Sequence, residues 1–177
     1  RLGGVRLWLQ VADESGNELL PGALDYEAAL REAPAAAPSG LSADDLYILY
    51  TGGTTGMPKG VLWRQKDVFL AALSMGGTPK TVEAIRERAR TRPGPRALPA
   101  PPFMHGAAHW AAFNVWHVAG TVVVPRHPRR LDPDDIWSTV EREQVQAMTI
   151  VGDAFAVPLL DQLAKQDYDL SSLRQIS

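Results

Sequence analysis

Between residues 5 and 11, large apolar residues alternate with Arg6 and Gln10, the two-residue period of a strand covered on one face. The Asp-Glu-Ser-Gly-Asn cluster at 13–17 ends that run with turn chemistry. Residues 25–32 fit a short helix, and the Ala, Pro, Ser and Gly of 33–40 fit a connector. Two β-prone runs, 46–50 and 61–63, flank a Gly- and Thr-rich stretch, which predicts a hairpin with an unusually long tip. Helical patterns follow at 67–75, stopped by Gly76-Gly77, and at 81–91, stopped by Pro93-Gly94-Pro95.

Residues 97–103 read as an extended, proline-rich approach to Met104-His105-Gly106. Residues 107–119 are apolar enough for a buried helix ending at Gly120, and 121–125 carry a compact buried-strand signal. Asp132-Pro133-Asp134-Asp135 is a helix start, with Asp132 as N-cap, Pro133 at the first helical position and acids near the positive end of the dipole. That helix is predicted to reach about Glu143 with Ile136, Trp137 and Val140 inward. A strand at 147–151 and a helix at 154–164 follow, with Asp153 as a candidate cap and Pro158 in the first turn or at a kink. Strand, helix, strand, helix, strand from 121 onward predicts an α/β layer built on a parallel sheet. Residues 173–177 read like a strand cut short, and Arg1 stands where Met would, so an internal fragment of a longer protein is expected.

The absence of cysteine excludes disulfides, thiolate zinc sites and a Cys nucleophile, and fits a reducing, cytoplasmic location. With 18 Lys and Arg against 20 Asp and Glu, nothing suggests nucleic acid as a partner. Apolar stretches such as 68–75 fall short of the roughly 20 residues that span a bilayer, which leaves only peripheral membrane contact open. Arg86, Arg88, Arg90, Arg92 and Arg96 form a cluster that an anion could use, but Glu83 and Glu87 lie among them at helical spacing, and a solvated surface is the simpler reading.

Chemistry concentrates in Tyr50-Thr51-Gly52-Gly53-Thr54-Thr55-Gly56-Met57-Pro58-Lys59-Gly60. Its glycines let the backbone turn sharply and bring N–H groups against a ligand, its threonines offer hydroxyls and Lys59 adds a mobile cation, together a cradle for phosphate oxygens. A flexible loop that binds nothing is the bland alternative. A Walker A loop needs Gly before its Lys and Ser or Thr after it, whereas Pro58 precedes Lys59 and Gly60 follows. The glycines at 52, 53 and 56 also miss the Gly-x-Gly-x-x-Gly spacing of a dinucleotide site. His105 and His109 have the i, i+4 spacing of a zinc pair, but Gly106 stands where a metalloprotease has its Glu and no third ligand is in view, so no metal ligand is assigned.

The segment from Tyr50 to Val61 resembles the phosphate loop of the adenylate-forming superfamily, which includes acyl-CoA synthetases, peptide-synthetase adenylation domains and firefly luciferases. It departs from that pattern only at Gly52, where the family has Ser, which removes one hydroxyl from the cradle. Pro101-Pro102-Phe103-Met104-His105-Gly106-Ala107-Ala108-His109-Trp110 resembles the family segment that borders the acyl pocket. Read alone, His105 is a lone His beside an apolar helix. Residues 151–155, 158–160 and 170–174 resemble fatty-acid or sterol-type acyl-CoA synthetases more than peptide-synthetase domains. The resemblance is densest at 46–63, continues at 98–110 and 145–177, and is thin before Ser42.

The resemblance implies an AMP-forming ligase that turns a carboxylic, fatty-type acid into an acyl-adenylate with ATP and Mg²⁺ and passes it to coenzyme A. It implies cofactor-binding roles for Thr51, Gly52, Gly53, Thr54, Thr55, Gly56, Lys59 and Gly60, catalytic roles for Lys59 and His105, and a substrate pocket with His105 and Trp110. Residues 1–177 are then part of one AMP-binding N-terminal domain, an α/β fold of parallel sheet layers with a phosphate-loop hairpin and without the mobile C-terminal domain. The adenine loop and the Glu that serves Mg²⁺ are expected just after Ser177, so the chain alone is expected to be inactive. Another adenylate-forming ligase and a non-catalytic nucleotide- or acyl-binding module remain as alternatives.

Overall fold

In a computed structural model that describes residues 4–13, 15–36, 39–52, 56–74 and 81–177, the alternating run at 5–11 shortens to the strand β1, Leu9–Gln10. It pairs in parallel with β2, Leu24–Asp25. The Gln10 side chain accepts from Leu20 N–H at 2.8 Å and donates to the Glu18 carbonyl at 3.3 Å, so it spans the turn region that interrupts the strand. Helix α1, Tyr26–Glu32, starts where Asp25 accepts from Ala28 N–H at 2.8 Å and ends at Ala33 in extended geometry. These elements belong to one compact unit, Arg1–Leu41.

The second unit, Ser42–Ser177, begins with the predicted hairpin. Strands β3, Leu46–Thr51, and β4, Lys59–Arg64, are antiparallel in a register that runs from Leu46 opposite Arg64 to Thr51 opposite Lys59. Residues 52–58 form its tip, of which Gly53, Thr54 and Thr55 lie outside the described residues. Where one helix was predicted at 67–75, a single turn, α2 (Gln65–Val68), passes into a π-helical turn, Phe69–Leu73, and the chain turns extended at Ser74. Side chains explain the early stop. The Ala72 carbonyl accepts from Asn114 Nδ2 at 2.8 Å, and the Leu73 carbonyl is 2.6 Å from His117 Nδ1. Gly76-Gly77 lies outside the described residues. Helix α3, Val82–Thr91, is capped by Thr81. Its arginine cluster divides: Arg90 pairs with Glu87 at the exposed surface, whereas Arg88 reaches the Val118 carbonyl and Arg96 reaches Glu143 Oε2 at 2.7 Å.

The remaining elements are β5 (Arg96–Pro99), α4 (Gly106–His117), β6 (Thr121–Val122), α5 (Pro133–Glu143), β7 (Ala147–Thr149), α6 (Asp153–Leu163) and β8 (Gln175–Ile176). The four strands form a parallel sheet in the order β6-β5-β7-β8. The expected proline-rich approach at 97–103 is therefore an interior strand for its first part, and the prolines that follow Leu98 end it. The strand signal at 121–125 reduces to a two-residue edge strand.

Side chains alternate across this sheet. Leu98 and Met148 pack into a core with Val123, Ile136, Trp137, Val140, Val145 and Leu159, on the side of α5 and α6. Ala97, Ala147 and Thr149 turn to the other side, against Ala111, Asn114 and Val115 of α4. The start of α5 is as predicted, with Asp132 accepting from Asp135 N–H. At α6 the cap is Gly152, with φ 57°, and Asp153 is the first helical residue, so it contributes charge at the positive end of the dipole but no side-chain cap. Pro158 falls beyond the first turn, inside a helix that continues to Leu163.

Candidate functional site

Because strand side chains alternate, Tyr47, Leu49 and Thr51 share one face of β3, and their partners Trp63, Val61 and Lys59 share that face on β4. This face meets the start of α4. Trp63 and Trp110 pack edge-on with centroids 6.1 Å apart, and Trp110 Nε1 donates to the Tyr47 hydroxyl at 2.9 Å. The Tyr47 hydroxyl bonds His109 Nε2, and His109 Nδ1 lies 3.1 Å from the Phe103 carbonyl. A carbonyl only accepts, so Nδ1 of His109 carries the proton and Nε2 receives that of Tyr47. Both ring nitrogens are thus committed, and the zinc-pair alternative loses its second ligand. Among the described residues no group of three or more His, Cys, Asp or Glu could hold a metal ion.

A cavity of about 620 Å³ opens where the hairpin tip meets this helix. Thr51 and Gly52 line it from the hairpin, Met104 and His105 from the loop, and Gly106 and Trp110 from α4. Leu49, Tyr50, Pro102 and Ala107 also line it; Tyr50, Pro102 and Ala107 belong to the two segments quoted from the sequence without a role of their own, and Leu49, outside both, shares the face of Thr51 by the strand period. His105 is the N-cap of α4, its Nδ1 accepting from Ala107 N–H at 3.2 Å. An accepting Nδ1 leaves Nε2 as the donor of a neutral imidazole. Gly106 lets the helix approach the hairpin, since a Cβ there would stand 2.8 Å from Leu49 Cδ2.

Lys59 is exposed and opposite Thr51, so the register puts it on the face of the cavity, although it does not line the wall. Gly60 is opposite Tyr50, and a Cβ on it would stand 3.0 Å from Ile48 Cγ2. Gly56 has φ 85°, a conformation that a side chain would strain. Gly53, Thr54 and Thr55, the middle of the expected cradle, lie outside the described residues. The cap predicts a separable effect. His105→Ala is expected to lower stability by about 1 kcal/mol, whereas His105→Asn, which keeps a capping acceptor, holds the urea midpoint near wild type. Equal losses in the two variants would exclude the cap as the cause.

The AMP-binding enzyme family matches residues 4–177. The chain is 46% identical over 179 residues to the medium-chain acyl-CoA ligase Mig of Mycobacterium avium, an alignment that takes in 98% of this chain and 32% of that protein. It is 39% identical over 165 residues to the 3-oxocholest-4-en-26-oate–CoA ligase of Rhodococcus rhodochrous, with 86% of this chain and 29% of that protein aligned. The N-terminal domain of FACL13 from Mycobacterium tuberculosis superposes with a TM-score of 0.67 and 26% identity over 86% of this chain and 35% of that one. The chain thus spans about a third of the length of these relatives. A match running from residue 4 to residue 177 takes in both the hairpin and the α4 cavity, and the chain belongs to the AMP-binding enzyme family.

Proposed function

We propose that the full-length protein is an AMP-forming acid–thiol ligase, which activates a carboxylic acid with ATP and transfers the acyl group to coenzyme A. One observation carries the reading: Thr51 and Gly52, at the root of the Gly- and Thr-rich tip, line the same cavity as His105 and Trp110. A phosphate cradle and an apolar-walled pocket then meet at one place, as attack of a carboxylate on a phosphate ester requires. The names of the relatives favour a fatty or sterol-type acid. Both compact units are taken as parts of one AMP-binding domain, in keeping with a family match that runs through both.

In the first half-reaction a carboxylate oxygen bonds to the α-phosphorus of ATP as the bond to pyrophosphate breaks. A carboxylate is ionised at neutral pH, so the step needs alignment and charge neutralisation but no general base. Lys59, the hydroxyls of Thr51, Thr54 and Thr55, and amides freed by Gly52, Gly53, Gly56 and Gly60 would stabilise charge growing on the leaving pyrophosphate. Nε2–H of His105 would hold a carboxylate oxygen, with Trp110 walling the acid. In the second half-reaction the coenzyme A thiol loses its proton to solvent, bonds to the acyl carbon and displaces AMP. Magnesium goes with such phosphates, but the donors of this cradle are an ammonium, hydroxyls and amides that suit phosphate and not a metal, so no step is assigned to it. Use of ATP and coenzyme A goes with a cytoplasmic location, and no helix among the described residues is long and apolar enough to cross a membrane.

The test is hydroxylamine trapping with the full-length protein and ATP across fatty, aromatic and amino acids. Acid-dependent AMP release with hydroxamates of the fatty acids is expected, and acyl-CoA when coenzyme A replaces hydroxylamine; no acid-dependent AMP from any class would overturn the proposal. In the same protein His105→Ala and His105→Asn should both alter turnover or acyl-chain preference. Intact kinetics in both would remove His105 from the pocket.

A further inference from the structure

The Tyr47 hydroxyl stands at the centre of a hydrogen-bond chain that has one possible polarity. Trp110 Nε1 is a donor only, so the hydroxyl oxygen accepts from it at 2.9 Å, and the hydroxyl proton is donated to Nε2 of His109. His109 Nδ1–H in turn donates to the Phe103 carbonyl at 3.1 Å. Trp110 thus decides which way the Tyr47 proton points, and Tyr47 decides the tautomer in which His109 reaches Phe103. All three side chains are half-buried. Tyr47 is 62 and 63 residues away from its two partners in the chain, so only the fold brings them together. It belongs to β3, the strand that ends at Thr51, whereas His109 and Trp110 belong to α4.

What the chain of bonds holds is the backbone that carries His105. The Phe103 carbonyl lies in the peptide leading to Met104, and the next backbone restraint is His105 N–H on the Pro102 carbonyl at 2.8 Å. His109, one helical turn beyond His105, reaches back past it to that Phe103 carbonyl. The loop bearing His105 is therefore tied to the same strand that leads into the hairpin tip. Neither Tyr47 nor His109 lines the cavity, so any effect they have on the reaction is indirect. We propose that Tyr47 and His109 are positioning residues that act through His105, holding its imidazole in line with a phosphate bound at the hairpin tip. The inference rests on the ligase reading above. Its physical basis is that adenylation needs alignment and no general base, and a reacting group displaced by about 1 Å costs roughly 10²-fold in rate.

The experiment follows acid-dependent ATP–pyrophosphate exchange by the full-length protein. Tyr47→Phe keeps the ring and removes only the hydroxyl; it should lower kcat about tenfold and leave KM for ATP and for the acid within about twofold, the split that lost alignment produces. In a His105→Asn background, where the cap remains and the imidazole is gone, the same substitution should cost no more than about twofold, because the group it positions is absent. Tyr47→Phe also leaves Trp110 Nε1 and His109 Nε2 unpaired and can fail to fold, so a pair of substitutions at His109 decides independently. Asn places its Nδ2 near the ring's Nδ1 and can still donate to the Phe103 carbonyl, whereas Phe fills the space of the ring and cannot. The kcat of His109→Asn should therefore exceed that of His109→Phe about fivefold or more; a role in packing alone predicts the reverse order, since Phe restores the volume. Exchange at the wild-type rate in Tyr47→Phe, an undiminished loss in the His105→Asn background, or His109→Phe at least as active as His109→Asn each overturns the inference while the ligase reading stands. If no acid is activated by wild type, both fall together.

Discussion

Gly120→Ala should lower the stability of the chain by about 3 kcal/mol, well beyond the cost of losing the His105 cap. The added Cβ would stand 2.5 Å from the Pro95 carbonyl oxygen, 2.7 Å from Val115 Cγ1 and 3.0 Å from the Val115 carbonyl oxygen. Two of these three are backbone atoms and cannot rotate away. They are also held: Thr121 N–H donates to the Pro95 carbonyl at 2.9 Å, Gly120 N–H to Val115 at 2.8 Å, and Gly94 N–H to Ala119 at 2.9 Å. Gly94 meets the same crossing from the other side, where a Cβ would stand 2.5 Å from the Val118 carbonyl oxygen. Relief of the clash must break at least one of these bonds, so an overpacking cost of about 1–3 kcal/mol is joined by a hydrogen-bond loss of about 1 kcal/mol. Gly60→Ala is the control, since its closest contact is a side-chain methyl of Ile48 at 3.0 Å. Urea unfolding decides the matter, and a midpoint for Gly120→Ala no lower than that of Gly60→Ala would contradict so close a crossing.

Lys59→Ala is expected to slow acid-dependent ATP–pyrophosphate exchange by about 10²–10³-fold, the cost of losing one well-placed group at a developing negative charge. The residue is exposed at the end of β4, opposite Thr51, and makes no ion pair within the described structure that the substitution would break. Its loss should therefore leave the unfolding midpoint near wild type, so that slow exchange reports on phosphate stabilisation and not on folding. Weakening on the pyrophosphate side should appear in both the apparent affinity for pyrophosphate and the exchange rate. Lys59→Arg keeps the charge but broadens it over a planar fork, and recovers only part of the rate. Exchange at the wild-type rate in Lys59→Ala would remove Lys59 from the cradle and with it the proposed role of the hairpin tip.

The hairpin and its loop could be read directly, because glycine and threonine density between two β-prone runs is a local signal. The same holds for α5, where Asp132 and Pro133 mark the start within three residues. What could not be read locally were features imposed by distant partners. The interior strand β5 is rich in proline at its end and looks like a connector until its pairing with β6 and β7 is known. The early end of the helix after Leu73 depends on Asn114 and His117, more than 40 residues away. His109 has the spacing of a metal ligand, yet it joins Tyr47 to the Phe103 carbonyl, a pairing that depends on where β3 lies. His105 was legible as a candidate by resemblance, but its capping of α4 follows from the chain geometry at Gly106.

The alternation of side chains across β5 and β7 has a consequence for how such a chain can diverge. On one side Leu98 and Met148 are locked into the core with Trp137 and Val140, where loss of even one methylene is felt. On the other, Ala97, Ala111 and Ala147 line a cavity of about 190 Å³. Changes of Ala111 or Ala147 to Ser, Thr or Val would reshape that cavity, whereas Ala97, buried in the interior strand β5, has less room to change. One sheet therefore carries a tightly packed face and a looser face back to back, and substitutions on the second need not disturb the first.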